Sequence, residues 1–236
     1  MSPTFSGAVT VGVSADSGEG FYSSASAHFA LPSQQPNCTT QTFGDCSVTL
    51  CDPSANSWTK ADAGKVTVNF ADKFSLELYP TDDGYYADPL AQAIVQPGDS
   101  ISVTANGDEI PAFSGSIVQP EALRLSSPAV GAYGQLAVSN ATDLELTFTG
   151  GTPGVRLGAT SKGSYSSGGS FFVQCSFAAQ AGRALIPQTA LYYSAGSLSL
   201  YTYRAKTIAA GDYAIDLEAR SVVFDSEGVN DVNITL

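Results

Sequence analysis

One histidine, one methionine, one tryptophan and only 10 basic residues occur among 236, and the scarcity of histidine and of basic residues each argues against a class of function. Ten basic against 22 acidic residues leave a net charge of −12, which repels phosphate backbones and anionic membrane surfaces and argues against nucleic acid as a partner. A Ser-His-Asp triad would have to be built on His28 alone, and no GxSxG elbow offers its nucleophile. His28 stands beside Phe29 in an alternating run and reads as a structural strand residue. One histidine and four cysteines that read as disulfide partners leave no ordinary zinc ligand set. Apolar runs reach only a few residues, against roughly 20 for a membrane-spanning helix, so no transmembrane segment is expected. The opening MSPTFSGAVTVGVSA lacks a basic segment followed by an apolar core and does not read as a signal peptide. The expectation is a mature form with an added Met, and an upstream lipid anchor stays open.

What is present points to strands. Ser, Thr, Gly, Ala and Val dominate, with 11 Tyr and 12 Phe, as many short strands joined by tight turns require. The clearest alternation lies in KVTVNF at 65–70 and FSLELY at 74–79. FSGAVTVGV and FYSSASAHFAL flank a DSGEG turn and read as a hairpin, with ISVTAN and PAFSGSIV further on. After Pro120 follow ALRLSSP, DLELTFTGG, GVRLGAT, SFFVQCSF, ARALIP, SLSLYTYRAKTI, DYAIDLEARSVVF and VNITL. Pro187 suits the first turn of a short connecting helix, PQTALYYS, that Gly196 ends. The expected fold is all-β: two antiparallel β-sandwich domains, 1–119 and 120–236, the second immunoglobulin-like or fibronectin-like. PGDSISVTANG and AAGDYAIDLEA share a Gly-Asp turn that feeds a strand, which fits either a duplicated sandwich or coincidence.

Three of the four cysteines fall in CTTQTFGDCSVTLC, from Cys38 to Cys51. Gly44 and Asp45 suit a two-residue type II′ turn, in which the first central position needs positive φ. Counting outward, Phe43 faces Cys46 and Cys38 faces Cys51. If Phe43 and Cys46 are a hydrogen-bonded pair, Cys38 and Cys51 are a non-hydrogen-bonded one, whose shorter separation suits a disulfide. Cys46 then shares a face with Val48 and Leu50, and Cys175 with Phe171, Val173 and Phe177. The favoured pairing is Cys38 with Cys51 and Cys46 with Cys175, which would tie the first domain to the second. Four cysteines allow three connectivities, and a turn shifted by one residue would undo the count. An even cysteine number and little Lys fit an exported protein, extracellular, at the cell surface or periplasmic.

The segment from Pro80 to Ser100 is rich in Pro, Gly and Asp and reads as a long loop with a short turn of helix near Leu90 to Val95. Its candidate binding residues are Tyr79, Asp82, Asp83, Tyr85, Tyr86 and Asp88, whose carboxylates could coordinate Ca²⁺ and whose rings could stack on a glycan or peptide. The competing reading is a solvated turn with tyrosines packed on the core. Asp225, Glu227 and Asp231 lack the spacing of an EF-hand and read as a hairpin loop.

The cysteine hairpin ending in CD, the run PGDSISVTANGDEIPAFSG, and CSF followed by AG, IP and AL resemble exported, sometimes lipid-anchored β-rich proteins of myxobacteria. The resemblance covers most of the chain and implies export; it carries no active residue across. The expected function is a non-enzymatic exported surface or adhesion-type module that meets a protein or glycan. The alternative is a secreted glycoside hydrolase-like enzyme with paired carboxylates in an interdomain cleft, although no pair among 22 acidic residues can be chosen from sequence.

Overall fold

The computed structural model describes residues 5–16, 20–30, 38–52, 60–71, 73–81, 85–89, 95–164, 169–194, 196–227 and 232–235. They form strands β1 (Phe5–Asp16), β2 (Gly20–Ala30), β3 (Cys38–Phe43), β4 (Cys46–Cys51), β5 (Val66–Phe70), β6 (Phe74–Leu78), β7 (Tyr85–Pro89), β8 (Ser100–Ala105) and β9 (Phe113–Val118). Then come β10 (Leu123–Ser127), β11 (Gln135–Ala137), β12 (Leu144–Thr149), β13 (Arg156–Ser164), β14 (Ser170–Ala178), β15 (Arg183–Ile186), the helix α1 (Gln188–Tyr192), β16 (Ser197–Ala210), β17 (Tyr213–Phe224) and β18 (Asn233–Thr235). The chain is all-β, as its alternation requires.

Two compact units share it. The first takes 1–35, 58–120 and 204–221; the second takes 36–57, 121–203 and 222–236. The expected division into 1–119 and 120–236 is therefore corrected. A boundary does fall after Pro120, but the cysteine hairpin belongs to the second unit, and β16 and β17 each change unit along their length. Long strands need not respect a domain boundary, and nothing in their local alternation marks where they cross one.

In the first unit a four-stranded sheet, β6-β5-β8-β9, is antiparallel throughout. Its buried positions Val66, Val68, Phe70, Ile101 and Val103 join Val9, Val11, Ala25, Ala27, Phe29, Ile215 and Leu217 of β1, β2 and β17 in one core. That arrangement is sandwich-like. The strands are not all antiparallel, contrary to expectation: β1 runs parallel to β17 with Val9 opposite Leu217, and in the second unit β10 is parallel to β17 and β11 to β18. Parallel neighbours need long connections, so they join stretches remote in sequence that local patterns cannot match.

Alternation in the second unit buries Leu144, Leu146 and Phe148 on β12, Leu157 and Ala159 on β13, and Phe171, Val173, Cys175 and Phe177 on β14. Its main strand order is β15-β12-β10-β17-β16-β13-β14-β4-β3. α1 follows Pro187 at its N-cap and buries Ala190 and Leu191. The Gly-Asp turns are both present, with Gly98 and Gly211 at φ of 89° and 62°, but they feed β8 and β17, which lie in different sheets.

The hairpin register is the one counted from sequence: Phe43 faces Cys46, Thr40 faces Thr49, and Cys38 faces Cys51. Gly44 has φ of 58°, as a type II′ turn needs at its first central position. Cys38 is bonded to Cys51 and Cys46 to Cys175, with Cα separations of 4.1 and 3.9 Å, and no cysteine is free. Both bonds lie within the second unit, so neither ties it to the first.

Candidate functional site

Tyr79 follows β6 and is 58% exposed, so it does not pack on the core. Its hydroxyl donates to Glu77 Oε2 at 2.7 Å, and Lys65 Nζ donates to Glu77 Oε1 at 2.8 Å. The hydrogen bond from Lys65, followed by that from Tyr79, holds the Glu77 carboxyl below its ordinary range; the hydrogen bond to Glu77 raises the Tyr79 phenol. Asp82 and Asp83 lie outside the described residues. Tyr85, Tyr86 and Asp88 belong to β7, which pairs antiparallel with β2 so that Tyr85 faces His28, Tyr86 faces Ala27 and Asp88 faces Ala25. The expected continuous loop is thus interrupted by a strand. The expected turn of helix falls on 90–94, outside the described residues; Val95 is buried and not helical. Trp58 and Asp231 are also outside them, and Asp225 is buried.

His28 on β2 faces Ala8 and Tyr85, and burial lowers its pKa from 6.5. The backbone N–H of Gln96, followed by Lys73, holds the Asp99 carboxyl low. Glu77 and Asp99 are thereby kept ionised, the reverse of what a general acid needs. Among the described residues no three His, Cys, Asp or Glu side chains gather as a metal site.

The second unit contains a groove of about 570 Å³ that sequence reasoning did not find. Its walls include Asp45 at the hairpin turn, Arg156 at the start of β13, Phe177 on β14, Glu145 on β12, and Arg183 and Leu185 on β15. Cys46 and Cys175 hold the hairpin wall: Asp45 immediately precedes the bonded Cys46, and its carbonyl accepts from Ser176 N–H at 3.0 Å. Arg156 is oriented by Ser176, donating from Nε to Oγ at 2.5 Å and from Nη2 to the carbonyl at 2.9 Å. The Ser176 hydroxyl also meets the Tyr203 hydroxyl at 2.5 Å. Asp45, Glu145 and Arg183 make no ion pair among the described residues, so both signs of charge face the groove without neutralising each other. Their sequence signal is weak, since a polar residue alternating with buried ones reads as a solvated face.

No protein-family model matches the chain, and no curated protein matches it.

Proposed function

We propose that the protein is an exported, non-enzymatic surface or adhesion-type module whose sandwich units present a binding site to a protein or glycan. The observation that carries this reading is that all four cysteines are bonded, two by two, on facing strands. Structural disulfides persist in oxidising compartments and are rare in the cytosol. The net charge of −12 and the resemblance to exported β-rich proteins support the same reading. The number and spacing of strands after Pro120 support an immunoglobulin-like second sandwich, whose sheet also accommodates parallel pairs.

The test combines antibody labelling of intact, unpermeabilised source cells with assays of purified protein on glycan and ester substrates. Surface labelling without turnover is expected. Confinement to the cytosol, or turnover abolished by changing one carboxylate or serine, would overturn the proposal.

A further inference from the structure

Among the described residues β15 is the last strand of its sheet, paired only with β12, and one hydrogen bond sets the phase of that pairing. Phe148 N–H donates to the Gly182 carbonyl at 2.9 Å, and the register continues as Thr147 with Arg183, Leu146 with Ala184, Glu145 with Leu185 and Leu144 with Ile186. In an antiparallel ladder hydrogen-bonded and non-hydrogen-bonded pairs alternate. The bonded pairs are therefore Phe148 with Gly182, Leu146 with Ala184 and Leu144 with Ile186. Arg183 and Leu185 fall between them, so the main-chain N–H and C=O of both point away from β12. No backbone bond reaches them from the other side among the described residues. Their side chains are exposed, Leu185 to 52%, and both line the groove.

The geometry points to a peptide-binding groove, in which an extended segment of another protein adds as a further strand along β15. This deepens the binding-module reading and rests on it. Two residues two apart in a strand repeat their outward donors and acceptors about every 6.8 Å, the spacing of another strand's backbone. A glycan's hydroxyls have no such ladder. The short edge, about 13 Å over its four residues, limits indiscriminate pairing and leaves selectivity to the side chains. Across the new pair, the residue opposite Arg183 is acidic. The residue opposite Leu185 is Lys or Arg, laying its stem over the leucine and its charge toward Glu145, which faces Leu185 from β12. The recognised segment therefore carries an acid and a base two residues apart, with main-chain bonds giving affinity and these side chains selectivity. Asp45 and Arg156 line the same groove.

The test uses the whole chain and a capped peptide that alternates Val with Thr, Glu and Lys so that Glu and Lys stand two residues apart. Titration followed by amide resonances should be saturable, with hydrogen exchange slowed at Arg183 and Leu185. Arg183→Glu should weaken binding at least tenfold at unchanged melting temperature, and a peptide in which Lys replaces the Glu opposite position 183, its other Lys kept, should recover it. N-methylation of the peptide backbone between the charged positions should abolish binding to the unaltered protein. Absence of binding at millimolar peptide would overturn the inference, as would binding indifferent to both Arg183→Glu and N-methylation, or protection at another edge. Saturable binding of a glycan panel without any peptide binding would remove this inference while leaving the module reading standing.

Discussion

Cys46 on β4 and Cys175 on β14 face each other with Cα atoms 3.9 Å apart, at a non-hydrogen-bonded position of the ladder. The Ser176 N–H to Asp45 carbonyl bond sets that phase, because it makes the adjoining pair the hydrogen-bonded one. Cys46 consequently directs its own main-chain groups toward Phe43 across the hairpin. The same alternation along β4 places Cys51 and Cys38 in a non-hydrogen-bonded pair. One phase thus accommodates both disulfides, and the second bond fixes the hairpin tip on which Asp45 borders the groove.

Loss of the two bonds should have unequal effects. Cys46 and Cys175 are 129 residues apart and Cys38 and Cys51 are 13 apart, so chain entropy assigns roughly 5 and roughly 3 kcal/mol to them. Denaturant unfolding of the Cys46→Ala/Cys175→Ala and Cys38→Ala/Cys51→Ala double variants is expected to show the larger loss for the first. The reverse order would reject the loop-closure explanation.

Folding stability should depend on pH through His28. Its folded pKa is lowered by burial, so the unfolded chain binds more protons as pH falls through the region of 6.5. The His28 contribution is present above its unfolded pKa and is lost on acidification through the folded one. His28→Gln should flatten this part of a stability–pH profile. An unchanged slope would show that the histidine is not the group responsible.

Tyr79 offers a direct probe of the surface triad with Glu77 and Lys65. Glu77→Gln removes the carboxylate that raises the phenol, so the Tyr79 pKa should fall toward 10.0 in a ring-carbon NMR titration. The Lys65 ammonium, raised by the same carboxylate, should shift down with it. No movement at either group would mean that the three side chains do not meet in solution.

Gly151 tests backbone packing in the second unit. A Cβ built there would stand 2.3 Å from the Ala179 carbonyl oxygen, and backbone cannot retreat as a flexible side chain can. Gly151→Ala should cost about 1–3 kcal/mol, the range for an overpacked interior site. Unfolding within a few tenths of a kcal/mol of the unaltered protein would contradict this close approach.

The parts of this structure legible in the sequence are those governed by local arithmetic. A two-residue turn at Gly44 and Asp45 sets the whole hairpin register, and alternation around Val48 and Val173 aims Cys46 and Cys175 at one interior face. β7 was hidden because Pro, Gly and Asp surround it and its partner β2 lies far back in the chain. The parallel pairing of β1 with β17 joins the two ends of the sequence, where no local period can indicate a neighbour. Glu145 and Arg183 look like ordinary solvated strand positions until the strand order makes β15 an edge and brings Asp45 to the same groove.

Non-reducing peptide mapping of the purified protein tests most directly the claim that a disulfide-held hairpin builds the binding unit. The expected digest contains one peptide pair joined through Cys38 and Cys51, another through Cys46 and Cys175, and no free thiol. A link between Cys38 and Cys46, or a free thiol at Cys175, would contradict the account.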